Sequence, residues 1–361
     1  MKFWDYKNAD YEKIGSMSQL AGIRRYEFAE GKAKGIETAE IHTGSGLQLT
    51  VLPGRGMDIA WTNYRGIPLS YMSKTGIVSP AYYESNGMNW LHGFFAGALT
   101  TCGLLNAGGP EKVNHPVIGE REYGLHGRIS NCAAEQVSVY EDFEDGEYVM
   151  KISGLMKEGI LHGESLEMRR EISTAYGSNE FKIRDTITNH AVVEQDIMLL
   201  YHINFGYPLM DSGSRIVVNS KEIIPQSETA AKAMYRALVC DEPTLGIEEM
   251  AYSHDFNTDE NGDVKVALIN DKLELGVAIE YNKEQLPCFS QWKMMNKKEY
   301  VLGLEPGTAL PVGYNKAKEN GMIKVLQPEE RMTVEITYKI LDGEECIKKY
   351  EAMIYGRYEN E

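Results

Sequence analysis

Residues 135–156 read EQVSVYEDFEDGEYVMKISGLM, and residues 164–190 and 194–205 continue as ESLEMRREISTAYGSNEFKIRDTITNH and EQDIMLLYHINF. In all three stretches polar and apolar residues alternate, the period that sets one face of a strand in a core and the other toward water. Asp145-Gly146 and Gly177-Ser178-Asn179 break the alternation with residues that tolerate the positive φ of tight turns, so consecutive antiparallel hairpins are predicted. Working outward, GIETAEIHT (35–43), LQLTVLP (47–53) and MDIAWTNYRGIPLSYM (57–72) precede them, the last with a hairpin near Asn63 to Gly66. DVKVALIN, LELGVAIEYN, YVLGLEP and MTVEITYKIL follow, all rich in β-branched or aromatic residues. Helical periodicity is scarce. It is confined to Glu228–Leu238 and to a helix-and-strand extension over residues 1–30, around Tyr11, Ile14, Met17 and Leu20, where Gly15 and Gly22 limit the helix. No linker, repeat or low-complexity tract divides the chain. The expected fold is all-β and mainly antiparallel, a large sandwich with few short helices, in one domain over residues 1–361.

Composition narrows the function classes. The formal charge of −16 disfavours nucleic acid and anionic membrane as partners, while leaving a small anionic substrate open. The N-terminus shows no signal peptide, and the most apolar stretch, Gly93–Leu105, is too short and too rich in Gly and Thr to span a bilayer. Five scattered cysteines, none in a C-x-x-C pair, read as reduced thiols of a cytoplasmic protein rather than a disulfide framework or a thiolate zinc site. A homodimer is compatible with all of this. P-loop, nucleophile-elbow, HExxH and dinucleotide-binding patterns are missing from the sequence.

The chemistry is expected in LLYHINFGYP (199–208), an apolar run that ends by delivering His202 and Asn204 two residues apart, on one face of a strand. Two distant stretches look built to meet it: YGLHGRIS (123–130), carrying His126 and Arg128, and QWKMMNKKEYVLGLEPGT (291–308), where Glu305 closes a strand-like run. Histidine titrates nearest working pH and suits acid–base work, yet a buried histidine satisfied by a backbone carbonyl fits His202 equally well. A turn histidine fits His126, a solvated turn carboxylate fits Glu305, and the three together would also serve as metal ligands. The segment 75–116 breaks the strand rhythm. With Tyr82, Tyr83, Asn86, Asn89, Trp90, His92 and six glycines from Gly87 to Gly109, it reads either as an active-site rim or as an ordered Gly-rich loop packed on the sandwich.

The set GRGMDI (54–59), LTTCGLLNAGGP (99–110), GLHGRISN (124–131), YHINFGYP (201–208) and WKMMNKKEYVLGLEPGT (292–308) resembles the aldose 1-epimerase, or galactose mutarotase-like, proteins, and within them a bacterial branch whose domain has no assigned function. The resemblance spans most of the chain and implies a β-supersandwich with a sugar groove on one sheet. It implies that His202 is the general acid at the ring oxygen, Glu305 the general base at the anomeric hydroxyl and His126 a binding and orienting partner, with no metal or cofactor. By position in the branch motifs, Arg55, Asp58, Arg128, Asn204, Trp292 and Lys293 become substrate-binding candidates. Two departures bear on the substrate. The flanks of His202 are Leu-Tyr and Ile-Asn-Phe-Gly rather than Thr-Asn-His and Tyr-Phe-Asn, and Gly127-Arg128 stands where two glycines are typical. Arg128 would reach a substrate carboxylate or phosphate, or pair with a local acid. The expected activity is interconversion of anomers of a monosaccharide or modified monosaccharide. A non-catalytic carbohydrate-binding or sensing protein and a metal-dependent sugar isomerase are the alternatives.

Overall fold

The computed structural model describes residues 9–115 and 117–356. Its centre is an eight-stranded antiparallel sheet in which Glu135–Glu144, Glu147–Gly159, Ser165–Ala175 and Glu180–Asn189 pair in sequence order, joined by Arg331–Asp342, Leu275–Asn282, Asp263–Asn270 and Arg215–Val218. The alternating pattern sets the register: Ile152 lies opposite Ile172, Ile172 opposite Ile183, Ile183 opposite Ile336 and Ile336 opposite Tyr281, one apolar row across five strands. Asp145 and Gly146 both take positive φ at the first hairpin, as do Arg65 and Gly66 between Asp58–Tyr64 and Ile67–Pro68.

A second sheet orders Ser220–Pro225, Met250–Phe256, Cys288–Asn296, Glu299–Gly307, Gln195–Phe205 and Lys324–Leu326, with Thr100–Leu104 also paired to Gln195–Phe205. A third, five-stranded sheet runs from Gly22–Glu27 to Ile67–Pro68. One continuous core fills the space between the sheets and draws side chains from all three, such as Val51, Ile152, Tyr201, Phe289 and Leu304. Along Gln195–Phe205 the odd residues Ile197, Leu199, Tyr201, Ile203 and Phe205 enter that core, while Met198 and Leu200 pack on the opposite face with Trp90, Cys102 and Leu125. That opposite face is the one that carries His202.

Three expectations differ from the structure. The opening helix falls partly on residues 1–8, outside the described residues. From Tyr11 onward the chain makes two separate 3₁₀ turns, Tyr11–Lys13 and Met17–Gln19, capped by Asp10 and Ser16. Neither turn buries a residue, so no packing sustains a longer helix across Gly15. The helix expected over 228–238 is short, Glu228–Lys232, and passes into a 3₁₀ turn. The segment 75–116, which lacked recognisable strands, contains two: Thr100–Leu104 inside the second sheet and Glu111–His115 in a hairpin with Gly119–Tyr123.

Candidate active site

Strand register brings His202 and Glu305 together. Leu200 lies opposite Gly307 and Ile203 opposite Leu304, which sets His202 across from Glu305 on neighbouring antiparallel strands. Cross-strand neighbours on one face hold their side chains within reach. Nε2 of His202 is 3.3 Å from Oε1 of Glu305. Gly303 provides the room, because a side chain there would run into Oε1 of Glu305 and the Trp292 Cβ. Ser290 faces Glu305 from the other side, and Trp292 faces Gly303.

Aromatic rings close over the pair. Phe94 lies 5.1 Å and Trp292 5.4 Å from the His202 ring, centroid to centroid, and Trp90 stacks on Phe94 at 4.6 Å. His202 is 6% and Glu305 2% exposed. His126 enters from the turn after Gly119–Tyr123, its ring 5.9 Å from that of His202 and 4.8 Å from Trp90. Its backbone takes φ 55°, a strained turn held by Gly103 N–H donating to the His126 carbonyl and His126 N–H donating to that of Gly108. Nδ1 of His126 accepts the Gly108 N–H at 3.3 Å, which places the proton of the neutral ring on Nε2.

Burial dominates the electrostatics. It pushes Glu305 well above the usual carboxylate range, against the opposing hydrogen bond from Ser290. It pulls His202 well below the usual imidazole range, assisted by the neighbouring His126, itself lowered by burial to about 4. Burial therefore favours the uncharged form of each group, a neutral imidazole on His126 and His202 and a protonated carboxyl on Glu305. Several buried polar atoms here lack a partner: Nδ1 of His202, Oε1 of Glu305, Oδ1 of Asn204 and Nε1 of Trp90. The 3.3 Å approach of His202 to Glu305 is thus a contact without hydrogen-bond alignment. Leaving a buried polar atom unpaired costs about 1–3 kcal/mol, so the cluster is poised to receive hydroxyl groups.

The other candidates divide. Asn204 is on the site face, its amide donating to the His202 carbonyl at 2.7 Å, and Trp292 is anchored by Nε1 donating to Glu249 at 2.9 Å. Arg55 is fully buried behind the rim turn, donating to the Gly93 carbonyl at 2.7 Å and stacking 4.5 Å from Phe95. It holds the turn that carries Trp90 and Phe94. Arg128 is exposed beside the Tyr83 ring, at 5.9 Å, and lines a small separate pocket with Glu158. Asp58 and Lys293 do not reach the groove. Asp58 accepts from Thr101 and lies 3.2 Å from Arg170, within a buried network that also joins Asp185 and Tyr201. Lys293 alternates to the core side of its strand, where its ammonium donates to the Arg236 and Val239 carbonyls at 2.8 and 2.7 Å. Among the described residues no group of three His, Cys, Asp or Glu side chains is placed to hold a metal ion. Nor is any of their helices long and apolar enough to cross a membrane.

A family model described as a domain of unknown function, DUF4432, matches residues 33–340. The chain belongs to the DUF4432 family. No curated protein matches it in sequence. Its structure is similar to that of a Klebsiella pneumoniae protein described as a candidate aldose 1-epimerase, with a TM-score of 0.87 at 28% identity, covering 96% of this chain and 91% of that one. Two further similar structures are a galactose mutarotase-like protein from Clostridium acetobutylicum and galactose 1-epimerase from Lactobacillus acidophilus. Their TM-scores are 0.61 and 0.59, at 13% and 11% identity, and each covers 90% of this chain with 99% and 100% of its own. This DUF4432 protein therefore has the mutarotase-like, mainly antiparallel β-sandwich that the sequence led us to expect.

Sequence reading passed over Phe94 and Gly303. The Trp90/Phe94 spacing and a glycine two residues before Glu305 are the signals that point to them, since residues two apart share a strand face. The Arg170–Asp185 pair offered no local signal, because the side chains that meet it, Asp58 and Tyr201, come from two other distant stretches.

Proposed function

We propose that this DUF4432 protein is a carbohydrate epimerase that interconverts sugar anomers by general acid–base catalysis. The observation that carries this reading is the His202–Glu305 pair, adjacent across two strands at 3.3 Å, buried and flanked by unpaired polar atoms. Anomerisation needs a proton delivered to the ring oxygen while another leaves the anomeric hydroxyl. Rotation about C1–C2 and closure on the other face then return both protons. One donor and one acceptor flanking the anomeric centre suffice, and each contributes roughly 10²–10⁴-fold.

The closed site, with the proton on Glu305, has the protonation that follows ring opening. Hydroxyl donors from a bound sugar favour the Glu305 carboxylate, and the displaced proton has His202 Nε2 as its nearest acceptor. That restores His202 as acid and Glu305 as base for the cyclic sugar. Nε2–H of His126 is available to a sugar oxygen, and the Phe94 and Trp292 rings offer apolar faces for stacking. The Phe94 ring lies against His202, and its carbonyl is pinned by the Ser73 and Thr75 hydroxyls.

Exchange NMR on neutral, acidic and phosphorylated reducing sugars tests the reading, with His202→Ala and Glu305→Gln alongside. Wild-type acceleration that each variant cuts by about 10²–10⁴-fold is expected. Sugar-dependent line broadening without acceleration would instead identify a binding or sensing protein.

A further inference from the structure

Beside the catalytic pair, past the Trp292 and Phe94 rings, a cavity of about 870 Å³ opens along the same sheet face. Its floor is Met294 and Val301 and its walls include Tyr71 and Leu91, while Lys32, Lys74, His92 and Glu299 stand among its lining residues. The strand geometry gives the span from Glu305 to the Glu299 side of the cavity. Glu305, Gly303, Val301 and Glu299 follow one another on one face of Glu299–Gly307. At ~3.3 Å per residue, Glu299 is about 20 Å along the strand from the catalytic glutamate.

Charge along this groove runs against the net charge of the molecule. In a chain of net charge −16, Lys32 and Lys74 meet a single lining carboxylate, Glu299, and Lys74 is paired with it. Lys32 is left as the uncompensated charge among the described lining residues. A bare hexose anchored by C1 at His202 and Glu305 would leave most of this groove to water. Apolar and aromatic walls around water are poorly used, whereas a second sugar ring would stack on them.

We infer that the substrate is a reducing sugar extended away from C1 by a second unit bearing an anionic group, which lies along the Trp292–Met294–Val301 face with its anion at Lys32 and Lys74. The inference rests on the epimerase reading of the pair, and the extension must leave the anomeric hydroxyl free for that chemistry.

The test compares kcat/KM for anomerisation of D-glucose, maltose and an aldobiouronic acid, a uronic acid linked to a reducing hexose, by exchange NMR on the full chain. The acidic disaccharide is expected to exceed glucose by at least about tenfold, with maltose between them. A Lys32→Gln/Lys74→Gln double variant should reduce the acidic disaccharide to the level of maltose and leave glucose unchanged. Raised salt should weaken the acidic substrate alone. Equal turnover of all three sugars would overturn the inference and leave the epimerase reading standing. Maltose matching the acidic disaccharide would overturn its anionic end. Acceleration of none of the three would bring down the inference together with the reading beneath it.

Discussion

Replacing Gly303 with alanine isolates the geometry of the proposed His202–Glu305 acid–base pair from its chemistry, because no titratable group changes. Gly303 occupies an ordinary strand position, so alanine imposes no backbone strain. The new methyl falls within contact distance of Oε1 of Glu305 and 3.2 Å from the Trp292 Cβ. Ordinary carbon contacts lie near 3.5–4.0 Å, so the carboxyl must retreat by roughly 1 Å, and being the end of a flexible side chain it can do so. A shift of that size at a reacting group costs about 10²-fold in rate, or ~2.7 kcal/mol of transition-state stabilisation. Folding should suffer less, because the main clash is with a side-chain tip and the Trp292 Cβ need give way by only a few tenths of an ångström. The expected result is a kcat loss of about a hundredfold in exchange NMR, with a melting temperature within a few degrees of wild type. A Gly303→Ala protein with full kcat would refute the claim that the placement of Glu305 beside His202 limits the reaction.

Three other outcomes follow from the same structure. His126, His202 and His254 are all lowered by burial and stay neutral in the folded protein, while their unfolded counterparts bind protons below about pH 6.5. Their stabilising effect is complete above 6.5 and is lost as pH falls toward their folded values, at up to ~1.4 kcal/mol per pH unit for each. Thermal melts between pH 6.5 and 5 should show this slope, and His254→Gln should flatten it. Lys293→Met leaves the Arg236 and Val239 carbonyls without their donor and should cost roughly 1–3 kcal/mol of stability with unchanged KM, as read by denaturant melts and sugar titration. An altered KM in a fully stable protein would instead return Lys293 to the groove. Phe94→Ala admits water to the pair, so the His202 ring should titrate closer to 6.5 in histidine NMR; no movement would mean that ring burial is not what keeps it neutral.

The alternation over 135–205 was enough to determine an antiparallel sandwich by itself, because a period of two can bury one face only by pairing strands into layered sheets. The same alternation decides that His202 and Asn204 share a face and that Trp292 and Lys293 do not. Read strictly, it already separates Lys293 from the groove, although proximity in the motif suggested otherwise. What sequence could not determine is which distant strand lies beside which. The adjacency of His202 and Glu305 depends on a register between strands more than ninety residues apart, set by core packing on their other face. Asp58 shows the same limit: its partners Thr101 and Arg170 come from two other stretches, Arg170 is held in turn by Asp185, and only their meeting makes Asp58 a buried network member rather than a sugar ligand. Titration behaviour was equally beyond the sequence. A glutamate before Pro-Gly looks like a solvated turn residue until the sheet sets Ser290 and His202 on either side of it, and desolvation, a property of the assembled site alone, then raises its pKa.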